Sequence, residues 1–131
     1  MVTGIVVTHG MLAQELLQTA RKIFFGDFSD CYAVSNITKS PTVLSDELSS
    51  LISACREEPC LVFVDFFGGS CSYACLKLLD THKNIQVISG VNLPMLLAFL
   101  NKREEVPFEH LSREIVERGR TSIQVLEREG H

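Results

Sequence analysis

Two hydrophobic periods alternate along the chain, one typical of buried strands and the other of amphipathic helices. Residues 2–8 are mostly β-branched and apolar, which predicts a strand buried on both faces. From residue 11 apolar side chains recur every three or four positions, which predicts a helix over residues 11–25 that ends near Gly26. Further strands are predicted over residues 31–36, 60–65 and 85–89.

Helix starts after the later strands are marked by capping residues. Ser40 followed by Pro41 is typical of an N-cap and a first helical turn. Asn92 is predicted to cap another helix rather than to bind a ligand, because Pro94 follows it at a suitable helix start.

The C-terminal part is predicted to hold a fifth helix, from Phe108 to near Gly119, and a final strand over residues 121–127, although a continuing helix also fits the last segment. Because strand and helix alternate four times, the fold is predicted to be α/β. We expect a mainly parallel, flavodoxin-like sheet with strand order 2-1-3-4, flanked by helices.

Composition narrows the class of protein. The 131 residues suit one compact domain, residues 1–131, with 46% hydrophobic and 21% charged residues. A net charge of −4 with no basic run disfavours a nucleic-acid partner. We expect a cytoplasmic protein, because there is neither a long apolar span nor a signal peptide. Five irregularly spaced cysteines predict neither a disulfide framework nor a zinc site.

A lone histidine and a lone aspartate follow two of the predicted strands. His9 comes directly after the first strand and Asp65 ends the third. In the expected strand order these strands are neighbours, so both side chains would meet at the carboxyl edge of the sheet. A carboxylate that holds one imidazole nitrogen leaves the other free to attack, which predicts His9 as the nucleophile and Asp65 as its orienting partner. One histidine and one carboxylate make a poor ligand set, so we expect no metal and no other cofactor.

The segment after Asp65 predicts an anion site. Gly68 and Gly69 let backbone amides approach a ligand closely, and Ser70 opens the next helix, whose N-terminus favours negative charge. Gly69, Ser70 and Cys71 are therefore predicted to bind a phosphoryl group carried by the histidine.

Three stretches together resemble a known family. "VVTHGMLAQELLQTA", "VDFFGGS" and "ISGVNLPMLL" are similar, in order and spacing, to the signature stretches of the mannose-family IIA domain of the bacterial phosphoenolpyruvate:sugar phosphotransferase system. The resemblance implies that His9 takes a phosphoryl group from HPr and passes it to a IIB domain during sugar uptake by membrane IIC and IID subunits. It also implies a homodimer that exchanges the final strand.

One short segment departs from the family pattern. The family usually has proline after Gly-Gly-Ser and asparagine two residues later, where this chain has Cys71, Ser72 and Tyr73. A thiol in the first helical turn is predicted to have a lowered pKa and to react faster than the other cysteines. The alternative is that Cys71 is only a small residue in place of proline.

Three other functions compete with sugar phosphotransfer. The changed segment at Cys71 suggests a regulatory protein whose His9 phosphorylation is detected by a partner. A response-regulator receiver phosphorylated on Asp65 is disfavoured, because Thr8-His9-Gly10 stand where acidic magnesium ligands are needed. A hydrolase that uses Ser70 with His9 and Asp65 is disfavoured because the G-x-S-x-G motif is missing.

Overall fold

The sheet has four parallel strands in the order β2-β1-β3-β4. A computed structural model describes residues 1–56 and 58–130. The strands are β1 (Thr3–Thr8), β2 (Cys31–Ser35), β3 (Cys60–Val64) and β4 (Ile85–Ser89). The helices are α1 (Leu12–Ile23), α2 (Pro41–Ala54), α3 (Ser70–Thr81), α4 (Leu93–Lys102) and α5 (Phe108–Thr121). The predicted α/β class and the strand order 2-1-3-4 are both confirmed.

The register of the central strands fixes where the two predicted site residues lie. Val7 of β1 pairs with Val64 of β3, and Thr8 pairs with Ser35 of β2. The residues that follow, His9 and Asp65, therefore leave the sheet side by side at its carboxyl edge. This is the switch point of the strand order, where α/β proteins commonly form their sites.

Helices cover both faces of the sheet. On one face Val6 and Phe63 pack with α1, α4 and α5, and on the other Ile5 and Val62 pack with α2 and α3. All six residues of β1 and all five of β3 are buried, which explains their continuous apolar pattern.

The predicted helix caps at Ser40 and Asn92 are confirmed. Ser40 Oγ accepts from the backbone N–H of Val43 at 3.2 Å, and Asn92 Oδ1 accepts from that of Met95 at 3.0 Å. Asn92 has a second contact that the sequence did not predict, because its Nδ2 donates to the carbonyl of Gly119 at 3.3 Å. Asn92 therefore joins the start of α4 to the end of α5.

The end of the chain differs from its prediction. Helix α5 continues past Gly119 to Thr121, and residues 123–128 form neither a helix nor a strand. Ile123, Val125 and Leu126 are 76–85% exposed. A strand needs a neighbour to satisfy its backbone, and none of the described residues pairs with this segment. The predicted last strand is not formed within one chain, and its exchange between two copies stays a prediction.

A separate finding concerns membranes. Among the helices within residues 1–56 and 58–130, none is both long enough and apolar enough to cross a bilayer.

Gly119→Ala is expected to lower the free energy of unfolding by up to about 2 kcal/mol. An added Cβ would lie 2.5 Å from Cγ and 2.8 Å from Sδ of buried Met95. Overpacking of this kind costs about 1–3 kcal/mol, and the better helix propensity of alanine offsets about 1 kcal/mol of it. Chemical denaturation measures the difference. In a Met95→Ala background the same change should cost nothing further, and an equal loss in both backgrounds would contradict the proposed contact.

Candidate active site

His9 and Asp65 form a compact pair at the carboxyl edge of the sheet. Asp65 Oδ2 lies 2.9 Å from Nδ1 of His9 and accepts the backbone N–H of the same residue at 3.0 Å. Asp65 Oδ1 accepts the backbone N–H of Phe66, also at 3.0 Å. The structure thus brings together the two residues that the sequence predicted to meet.

The electrostatics of this pair decide the position of the proton on the ring. Burial raises the pKa of the Asp65 carboxyl, but hydrogen bonds from the backbone and ring of His9 outweigh burial and leave that pKa below its ordinary value. An ionised carboxylate can only accept, so Nδ1 of a neutral His9 must carry the proton. Nε2 then keeps its lone pair and is the ring atom that can act as a nucleophile.

The nucleophilic side of His9 faces the start of α3. Ser70 Oγ lies 3.5 Å from Nε2, at the long limit of a hydrogen bond. Gly69 is the N-cap of α3, and a Cβ there would lie 2.9 Å from His9 Cε1. Glycine leaves room here for the imidazole, which the helix start approaches closely.

Phe66 is a site residue that the sequence analysis missed. Its ring stacks on His9 with centroids 4.9 Å apart and planes 19° from parallel, within the usual range for aromatic pairs. An added Cβ on Gly69 would also meet Phe66 Cζ at 2.8 Å. The imidazole is therefore held in its plane by Asp65 and on one face by Phe66.

Ser72 is a second residue that the sequence analysis missed. Its hydroxyl accepts the backbone N–H of Gly68 and donates to the carbonyl of Gly69, both at 2.9 Å. Gly68 has φ +106, which only glycine adopts easily. Ser72 thus fixes the turn before α3. The family usually has a proline at the preceding position, where this chain has Cys71. A serine in a first helical turn is a known signal for such a bond.

The loop after His9 is held by the end of β2. Asn36 Oδ1 accepts the backbone N–H of Gly10 at 3.1 Å, and Ser35 Oγ donates to the Gly10 carbonyl at 2.7 Å. Buried Thr8 caps the start of α1 by accepting the backbone N–H of Ala13 at 2.8 Å. These bonds fix the backbone on both sides of His9.

The predicted low pKa of Cys71 is wrong. Burial, together with a smaller contribution from the negative charge of Asp65, raises the pKa of this thiol to about 11. Cys71 is 0% exposed, so desolvation outweighs the favourable helix N-terminus. Because its pKa is raised and not lowered, there is no longer a reason to expect Cys71 to react faster than the other cysteines. Its backbone, in the first turn of α3, still lies where the sequence predicted a phosphoryl-binding position.

Three side chains of the site present atoms that metals bind. A ring nitrogen of His9, a carboxylate oxygen of Asp65 and the sulfur of Cys71 all lie within 4.8 Å of one another. Cys71 was not predicted as a ligand beside His9 and Asp65, because the position of a residue in the chain does not give the orientation of its side chain.

Comparison with known proteins first shows a similar fold. The crystal structure of phosphotransferase system component EIIA from Streptococcus agalactiae is similar, with a TM-score of 0.86 and 20% identity over 95% of this chain and 97% of that one. Residues 4–116 match the EIIA-man family model, described as the PTS system fructose IIA component. The chain belongs to this family.

Curated relatives carry matching descriptions. The PTS system mannose-specific EIIAB component of Escherichia coli (strain K12) is 30% identical over 125 residues, which cover 93% of this chain and 38% of the relative. The chain thus spans less than two fifths of the length of that relative. The PTS system fructose-specific EIIA component of Bacillus subtilis (strain 168) is 27% identical over 127 residues, 95% of this chain and 86% of the relative.

Gly69→Ala is expected to displace His9 while leaving the fold intact. The atoms that the new Cβ would meet are the ends of two partly exposed rings, which can move. We expect a change in unfolding free energy of less than about 1 kcal/mol, as for a tolerated local shift, but a smaller fraction of His9 protonated at Nδ1. Imidazole ¹⁵N NMR measures that fraction. Combination with Phe66→Ala should restore part of it, and an unchanged tautomer in Gly69→Ala would contradict the close approach.

Proposed function

We propose that the chain is a histidine phosphocarrier of the sugar phosphotransferase system, phosphorylated on Nε2 of His9. One observation carries the proposal: Nδ1 lies 2.9 Å from the Asp65 carboxylate while Nε2 faces Ser70 and the start of α3. Membership of the EIIA-man family supports the same function. Side-chain exposure of 37% leaves His9 open to a donor protein.

The reaction at His9 is a direct displacement at phosphorus. The lone pair of Nε2 forms the new N–P bond, and the bond between phosphorus and the donor breaks with its electron pair staying on the donor. The imidazole gains positive charge as the bond forms. Asp65 stabilises that charge in the ring plane through Nδ1–H, and the face of Phe66 stabilises it from one side.

The start of α3 would hold the transferred group. The backbone amides of the N-cap Gly69 and of Ser70 and Cys71 lie at the positive end of the helix dipole, which favours a phosphoryl dianion. Ser70 adds a hydroxyl near Nε2. Cys71 contributes through its backbone rather than its buried, protonated thiol. Ser72 keeps the turn in this shape.

The proposed partners are inferred from membership of the family and not from contacts in the structure. Phospho-HPr would be the donor and a IIB domain the acceptor, both in the cytoplasm, and the membrane subunits IIC and IID would be reached only through IIB. The mannose-specific relative from Escherichia coli has an EIIAB description, which supports a IIB acceptor. Residues 121–127 would pair with the open edge of β4 in a second copy, giving a homodimer.

A serine hydrolase is the second candidate, because Asp65, His9 and Ser70 are aligned in the order of a catalytic triad. The 3.5 Å separation of Ser70 Oγ from Nε2 is long for a nucleophile and its base. The two functions differ in the atom that becomes modified, which is nitrogen in one and oxygen in the other.

Incubation with phospho-HPr is expected to label His9 with an acid-labile phosphoryl group. His9→Ala should abolish the label, because Nε2 is the only nucleophile proposed. Mass spectrometry and acid treatment identify the product. His82→Ala is the matched control and should keep full labelling, since His82 is hydrogen-bonded to Ser49 and lies away from the carboxyl edge of the sheet. An acid-stable label on Ser70, or labelling that survives in His9→Ala, would overturn the proposal.

Asp65→Asn is expected to slow labelling of His9 by about tenfold or more while the protein stays folded. An amide can offer N–H as well as C=O to the ring, so the nucleophilic tautomer is no longer enforced. Rapid-quench labelling measures the rate. Asp80→Asn removes the same charge from an exposed position near the other end of α3 and should leave the rate unchanged. Equal rates in both variants would mean that Asp65 does not orient His9.

A further inference from the structure

We propose that His9, Asp65 and Cys71 form a binding site for a thiophilic divalent cation of the zinc type, and that the bound cation blocks phosphorylation of His9. The binding part stands on the geometry of the three side chains alone. The blocking part rests on the proposed phosphocarrier function.

The three ligand atoms lie near enough for a small tetrahedral cation to draw them together, with a closure of up to about 1.2 Å for a pair at the 4.8 Å limit. All of them lie within 4.8 Å of one another. Tetrahedral zinc, with bonds of about 2.0–2.3 Å to nitrogen, oxygen and sulfur, separates its ligand atoms by about 3.3–3.6 Å. Nδ1 of His9 and Oδ2 of Asp65 are 2.9 Å apart, so they would separate by roughly 0.4 Å to admit the ion.

The ligand types select the class of cation. One imidazole nitrogen, one carboxylate oxygen and one thiolate suit zinc and similar metals, whereas magnesium prefers oxygen ligands and keeps its waters. Three protein ligands leave a fourth position for water, as in exchangeable zinc sites. The partly exposed edge of His9 gives the ion a route from solvent.

The surrounding contacts hold the ligands in place before any metal binds. Backbone N–H groups of His9 and Phe66 fix the two oxygens of Asp65, and the ring of Phe66 fixes the plane of His9. Outer contacts of this kind orient metal ligands and raise affinity. Cys71 is held by the first turn of α3, which Ser72 ties to the preceding glycines.

Cys71 distinguishes this chain from the family pattern described above. With proline at this position no sulfur would be present and only His9 and Asp65 would remain. Asp65 lies close enough to Cys71 for its charge to act on the thiol. A dication between the two groups reverses that unfavourable electrostatic interaction.

Metal binding redistributes protons in a way that disables His9. The thiol of Cys71 releases its proton to solvent and binds as thiolate. Nδ1 of His9 exchanges its proton for the metal, and Nε2 takes up a proton so that the ring stays neutral. One proton is released overall. The lone pair of Nε2 is then occupied, so it cannot form a bond to phosphorus.

The first test measures binding without any phosphoryl donor. Chelator-treated protein is titrated with Zn²⁺ by calorimetry and with Co²⁺ by absorption spectroscopy. We expect binding of one ion per chain, a sulfur-to-cobalt charge-transfer band, and no binding of Mg²⁺. Cys71→Ser keeps nearly the same size and should weaken Zn²⁺ binding at least tenfold and remove the band.

Cys75→Ala is the matched control for the cysteine change. Cys75 is also 0% exposed and lies one turn further along α3, outside the cluster. The Cys75→Ala variant should bind Zn²⁺ and Co²⁺ as the unchanged chain does. Zn²⁺ affinity that is the same in Cys71→Ser, or a Co²⁺ spectrum without the charge-transfer band, would overturn the proposed site.

The second test measures labelling of His9 by phospho-HPr with and without Zn²⁺. We expect Zn²⁺ to reduce the initial rate at least tenfold and a chelator to restore it. In the Cys71→Ser variant the labelling rates with and without Zn²⁺ should be nearly equal, whatever rate this variant shows without metal. If Zn²⁺ binds but leaves the rate unchanged, the blocking role is wrong. If no labelling occurs under any condition, the phosphocarrier proposal fails while the binding result stands separately.

Discussion

The pairing of β1 with β3 is the constraint on which the whole site depends. Parallel register places the ends of these strands side by side, so residues 56 positions apart in sequence come within hydrogen-bond distance. Asp65 then satisfies two backbone N–H groups and the His9 ring with one carboxylate. The burial of both strands keeps this arrangement in place, because a slip of one residue would turn every core side chain to the wrong face.

The start of α3 meets the same requirements by different means from the family pattern. A proline would fix the first turn through its restricted φ. Here a hydroxyl, that of Ser72, links the two glycines to the helix, while Cys71 turns a small thiol towards the carboxylate. The turn is therefore ordered by side-chain hydrogen bonds, and the space beside Asp65 contains a sulfur atom.

The parts of the fold that depend on local rules were predictable from the sequence. The cap at Asn92 can be predicted from the neighbouring residues alone, and the meeting of His9 with Asp65 can be predicted from the strand order alone. The stack of Phe66 on His9 was not predictable, because it depends on how two side chains orient after the strands have paired. The lowered pKa predicted for Cys71 was wrong, since the sequence indicates the helix dipole but not the burial that opposes it. The alternation in residues 121–127 indicates strand propensity, but it does not say whether a partner edge is available.

The side chains of His9 and Asp65 differ in burial, and this difference affects how the site responds to ionic strength. Asp65 has a side-chain exposure of 11%, whereas His9 has 37%. At physiological ionic strength mobile ions largely screen interactions between exposed charges that are more than about 8 Å apart, but they screen partly buried pairs much less. The orientation of the imidazole is thus insulated from changes in cellular salt, while the encounter with any charged macromolecule at its open edge is not. Under the proposed function, a change in ionic strength would alter how often a partner protein meets His9 without altering the orientation of the ring.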